Sequence, residues 1–101
     1  MVNIQVLYFK GCPNHAPTVA LVHNVVTQLG LAAELEEIEV TSLEEATRLR
    51  FLGSPSVQVN GVDIDPSASS RTDYSVSCRM YNGSGVPPRA FLVTACQAAP
   101  S

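Results

Sequence analysis

The sequence predicts an α/β fold of element order βαβαββα, a central mixed four-stranded sheet flanked by helices. Three observations carry this. An apolar run, Val2 to Phe9, stops at Gly11 and gives way to a helical spacing of apolar residues. A second strand-then-helix pattern follows it. An Asn60-Gly61 pair then separates two short apolar runs, which is a hairpin signal.

In the first strand Ile4, Val6 and Tyr8 fall on one face and Leu7 and Phe9 on the other. Apolar residues on both faces indicate a buried central strand. The first helix is expected from about Ala16 to Leu29, with Val19, Val22, Val26 and Leu29 toward the sheet. Pro17 suits a first turn, and Gly30 suits a left-handed helix end. The second strand, Ala33 to Val40, interleaves Leu35, Ile38 and Val40 with Glu34, Glu36, Glu37 and Glu39, as expected of a strand near a sheet edge.

The second helix should begin near Ser42 or Leu43. Thr41 or Ser42 would cap it, Glu44 and Glu45 suit the positive end of its dipole, and Gly53 is expected to close it. Ala46, Leu49 and Phe51 would face inward. Ser56 to Asn60 is the third strand and Val62 to Ile64 the fourth. Residues 66–85 read as a polar, serine-rich, irregular insertion with one short run around Tyr74 to Tyr81. Pro87-Pro88 opens a last helix through about Ala98, with Phe91, Leu92 and Ala95 inward.

The chain has 101 residues, 46% of them hydrophobic, and a formal net charge of -3. That length fits one domain spanning residues 1–101, and that composition fits a packed core. The negative balance and the lack of a basic stripe argue against a nucleic-acid partner. No segment reads as a membrane span. The start, Met1-Val2-Asn3-Ile4, does not read as an export signal, so a cytoplasmic location is expected. The three cysteines, Cys12, Cys78 and Cys96, then read as free or reactive thiols rather than as a disulfide framework.

Two local patterns point to chemistry. The first is Phe9-Lys10-Gly11-Cys12-Pro13-Asn14-His15. A cysteine between a strand and a helix start lies near unpaired amides and a positive dipole, both of which favour the thiolate. His15, about one turn on, is a candidate base or ligand. The bland alternatives are a buried structural Cys12 and a solvated His15. The second pattern is Gly53-Ser54-Pro55-Ser56, a proline after a small residue just before a strand.

Together these residues resemble the thioredoxin superfamily. The resemblance covers roughly residues 2 to 65, with the closing helix in outline. It implies a thioredoxin-like fold, Cys12 as nucleophile, and a cis Pro55 whose loop, with Ser54, faces a substrate segment. More narrowly, Gly-Cys-Pro-Asn-His, Phe51-Leu52-Gly53-Ser54-Pro55, Cys78-Arg79-Met80-Tyr81 and Gly85-Val86-Pro87-Pro88 are similar to a group of small bacterial thioredoxin-like proteins. Some of that group carry an alkylmercury-lyase label. The departure is His15, which stands where thioredoxins have the second cysteine of Cys-x-x-Cys.

The expected catalytic set is therefore Cys12, His15 and Cys78, with Cys78 as the resolving thiol if it folds over the helix start. Otherwise Cys78 packs in a short extra element, and a small-molecule or protein thiol resolves instead. Ser54, Pro55 and Arg79 form the expected substrate-binding set, with Arg79 suited to an anion such as glutathione. Arg71, Asp73 and Arg79 read alternatively as surface ion pairs.

The partners expected are small-molecule or protein thiols and disulfides, with no cofactor. One alternative is a soft-metal site for mercury, copper or zinc made of Cys12, His15 and Cys78. Another is a non-catalytic interaction domain. Cys96 reads as a packing residue, His23 as solvated, and Asp63 and Asp65 as turn and capping groups. Pairing of a second copy through the exposed second strand is left open.

Overall fold

The structure, a computed structural model, describes residues 1–99. Its elements are β1 (Val2–Tyr8), α1 (His15–Leu29), β2 (Ala33–Glu39), α2 (Leu43–Leu49), β3 (Ser56–Val59), β4 (Val62–Asp63), a short 3-10 turn at Pro66–Ser70, and α3 (Arg89–Ala98). The four strands form one mixed sheet in the order β2-β1-β3-β4. β1 runs parallel to β2, with Ile4 opposite Leu35, and antiparallel to β3, with Ile4 opposite Val59. β3 and β4 close as an antiparallel hairpin.

The alternation of β1 sets the two faces. Val2, Ile4 and Val6, with Val57 and Val59 of β3, pack under Val22 and Val25 of α1 and Leu92 and Cys96 of α3. Leu7 points the other way, to Val40, Ala46 and Phe51 beneath α2. β2 lies at the sheet edge, where Glu34, Glu36, Glu37 and Glu39 are exposed. The deepest line of α1 is Thr18, Val22 and Val25, while Val19, Val26 and Leu29 are only partly buried.

The Asn60-Gly61 turn is anchored as well as tight. Both residues take positive φ, 52° and 82°. Asn60 Oδ1 accepts from the Asn3 amide at 2.9 Å, and the Asn60 amide donates back to the Asn3 carbonyl at 2.7 Å. Ser42 caps α2 by accepting from the Glu45 amide.

Some boundaries differ from the sequence expectation. Asn14 is the N-cap of α1, so the helix begins at His15. Arg50, not Gly53, closes α2 in the left-handed conformation (φ 58°), and its amide bonds back into the last turn. Gly53 is needed for a different reason. At its φ of 120°, a Cβ would lie 3.0 Å from Arg79 Cβ and 3.1 Å from the Ser77 carbonyl oxygen. β4 ends at Asp63, one residue early. No helix among the described residues is long and apolar enough to cross a membrane.

Candidate functional site

Gly11, at φ 88°, makes the turn that carries Cys12 off the end of β1. The Cys12 amide donates to the Phe9 carbonyl at 3.2 Å, and its carbonyl accepts from the His15 amide at 3.3 Å. Cys12 thus lies two residues before the α1 cap rather than inside the first turn, and it is 9% exposed.

His15 opens α1 and is held from two sides. Its ring stacks on Tyr8 at 3.6 Å between centroids and 7° between planes. Its Nε2 meets Glu37 Oε1 of β2 at 2.6 Å. A carboxylate accepts, so this bond puts the ring proton on Nε2 and leaves Nδ1 as the open nitrogen. Glu37 was legible in the sequence only as one of four exposed glutamates. What singles it out is its register opposite Val6 in the parallel pair, which sets it at the same sheet edge as the start of α1.

Ser54 is the hub between the Cys12 turn and the late insertion. It is 1% exposed. Its hydroxyl accepts from the Phe9 amide at 3.3 Å, three residues before Cys12. Its own amide donates to the Ser77 carbonyl at 2.7 Å, and its carbonyl accepts from the Arg79 amide at 3.0 Å. Residue 78 therefore forms a parallel bridge with Ser54. Cys78 itself is exposed, and Cys12, Cys78 and Cys96 are all free thiols. The Ser54–Pro55 peptide bond is cis.

Ser54 and Pro55 were expected to face a substrate. Both are buried, and both backbone groups of Ser54 are already bonded to the chain's own insertion. Arg79 also departs from its expected anion-binding place. Its side chain is 2% exposed, and the guanidinium bonds Asp63 twice, at 2.7 and 3.1 Å. It further donates to the Ser56 hydroxyl at 2.9 Å and lies 3.6 Å from Asp65.

Arg79 also stacks over the Tyr81 ring at 4.6 Å, and the Tyr81 hydroxyl donates to the Pro55 carbonyl at 2.6 Å. Burial works against the Arg79 charge, but the Asp63 hydrogen bonds and the neighbouring acids raise its pKa above the ordinary value. The cluster fastens the insertion to the Gly53–Ser56 loop, a role that no local sequence pattern announces. Arg71 and Asp73 do form the expected exposed pair.

The far end of the insertion reaches α1. A Cβ on Gly85 would fall 2.6 Å from Asn14 Cγ, so the Asn14 side chain lies directly on the Gly85 backbone. Residues 77 to 85 therefore run from the Ser54 loop, which bonds the strand end three residues before Cys12, to the cap of α1, two residues after it. Among the described residues no three His, Cys, Asp or Glu side chains are grouped to hold a metal ion. Cys12, His15 and Cys78 thus do not make a preassembled three-ligand site. Cys96 packs in the α1–α3 core, where burial pushes its thiol pKa up.

No family model matches the chain. No solved structure matches it. Aprataxin of Ciona intestinalis is 30% identical to it over 101 aligned positions. These cover 89% of this chain and 26% of that protein, so the chain spans about a quarter of the relative's length.

Proposed function

We propose that this is a thioredoxin-like, thiol-dependent redox protein in which Cys12 is the nucleophile and Cys78 the resolving thiol. The observation that carries it is the double engagement of Ser54, whose hydroxyl anchors the strand end before Cys12 and whose backbone brackets Cys78. The thioredoxin arrangement is supported by an initial βαβ unit, an antiparallel β3–β4 hairpin and a closing helix on the α1 side. One buried serine thus touches the strand end three residues before Cys12 and pairs with residue 78, which supports a resolving role for a cysteine distant in sequence.

The reaction is disulfide exchange. The Cys12 thiolate attacks one sulfur of a disulfide RSSR, forms Cys12–S–S–R and expels RS⁻. The Cys78 thiolate then attacks the Cys12 sulfur and expels the second RS⁻. The two protein thiols are oxidised by two electrons, the substrate disulfide is reduced, and the two thiol protons end on two RSH. His15 is the candidate base in the first turn of α1, with Glu37 and Tyr8 fixing its ring.

Mass spectrometry after exposure to glutathione disulfide tests this. A Cys12–Cys78 disulfide is expected in the wild type. Cys78→Ser should stop at glutathionylated Cys12, and Cys12→Ser should leave Cys78 in the thiol form. Cys12 reacting no faster than free cysteine, with no Cys12–Cys78 bond formed, would overturn the reading.

A further inference from the structure

Resting on the reading just proposed, we infer that the Ser77–Gly85 segment restricts Cys12 to low-molecular-weight disulfides and excludes protein disulfides. A protein substrate that docks by adding an extended backbone beside the attacking thiol needs free amide and carbonyl groups there. The backbone that lies against the strand end before Cys12 is that of Ser54. Its amide and carbonyl are both taken by Ser77 and Arg79 of the same chain. The occupant is not loosely held. Arg79 is pinned to Asp63 and Ser56, and Tyr81 to the Pro55 carbonyl.

The segment then crosses to Asn14, whose side chain occupies the place a Cβ on Gly85 would take. Cys12 lies between those two anchor points and is 9% exposed, which suits a small disulfide and not a folded chain. Cys78, on the occupying segment, is exposed and ready to displace the small thiol from the mixed disulfide. The chain's own segment thus fills the place a peptide would take, and it carries the second thiol there.

The test compares glutathione disulfide and insulin as substrates, in the wild type and in Tyr81→Phe and Gly85→Ala. The first variant removes the bond to the Pro55 carbonyl. The second puts a Cβ against Asn14. The wild type should react with glutathione disulfide well above the free-cysteine rate and leave insulin unreduced.

Tyr81→Phe should raise insulin reduction about fivefold or more above the wild-type background, the population change that loss of one net hydrogen bond produces, Gly85→Ala should move it in the same direction, and both should leave the glutathione disulfide rate within about twofold. Circular dichroism confirms that each variant is folded. If a variant fails to fold, the wild-type comparison decides alone. Equal wild-type rates with the two substrates, or variants that stay inert toward insulin, would overturn the size restriction and leave the redox reading standing. Wild-type Cys12 reacting with neither above the free-cysteine rate would overturn both.

Discussion

Arg79 and Asp63 meet through two hydrogen bonds, Nη1 to Oδ2 at 2.7 Å and Nη2 to Oδ1 at 3.1 Å, with the arginine side chain 2% exposed. One partner comes from the insertion and the other from the end of β4, sixteen residues earlier. The pair joins a segment without regular structure to the sheet, and Ser56, Asp65 and Tyr81 complete its surroundings.

Removing one member leaves the other charge buried and unpaired. Arg79→Ala should therefore destabilise the fold by about 3–5 kcal/mol, a large part of the 5–15 kcal/mol typical of a small protein. Asp63→Asn keeps the shape and one acceptor, so it should cost less. Urea unfolding midpoints of the two variants against wild type measure this. An Arg79→Ala midpoint equal to wild type would show that the pair does not hold the insertion.

Tyr81 makes the same cluster sensitive to alkali. Burial pushes its phenol pKa well up, although the Arg79 charge opposes this. The unfolded phenol, near pH 10, ionises first, so above that pH the unfolded state holds fewer protons and stability falls as pH rises. Tyr81→Phe should lose about 1 kcal/mol at neutral pH, the bond to Pro55, and show a shallower loss above pH 10. Melting temperatures of both proteins from pH 8 to 11 provide the comparison. Parallel curves would count against a buried, hydrogen-bonded Tyr81 hydroxyl.

The sequence made the sheet and its helices legible because those signals are local. The alternation in Val2–Tyr8, the Asn60-Gly61 pair and the Ser42 cap each act within a few residues. The Gly53 assignment failed because Arg50 reaches the left-handed conformation itself, while Gly53 is required by the approach of Arg79, distant in sequence. The same holds at the site. Cys12 stands out by its place between strand and helix. The pairing of Ser54 with residue 78, the burial of Arg79 and the choice of Glu37 among four glutamates all depend on partners 16 to 24 positions away. No periodicity encodes these.

Thr18 is an orphan in this fold. Its side chain is fully buried in α1, and its hydroxyl has no hydrogen-bond partner. Thr18→Val keeps the branched shape and removes the unpaired group. Such a group costs about 1–3 kcal/mol when buried, so the variant should be as stable as wild type or up to about 1–2 kcal/mol more stable. Thermal unfolding decides it, and a clear loss of stability would mean that the hydroxyl has a partner, such as an ordered water.

Asp65 sets an acid limit. Partial burial opposes its charge, but hydrogen bonds from the Ser67 amide and hydroxyl and the charge of Arg79 outweigh this and hold its carboxyl below 3.8. The folded pKa is lower than the unfolded one, so the unfolded state binds the proton first as pH falls. The stabilisation is complete above about pH 5 and is lost as pH falls through the unfolded value near 3.9 toward the lower folded one. Asp65→Asn should lower stability at pH 7 and flatten the fall between pH 5 and 3. Ser67→Ala, which deletes one of the bonds, should move the curve part of the way. Unfolding midpoints at half-unit steps of pH test both, and an Asp65→Asn protein that loses stability in acid as steeply as wild type would assign the acid limit to another carboxylate.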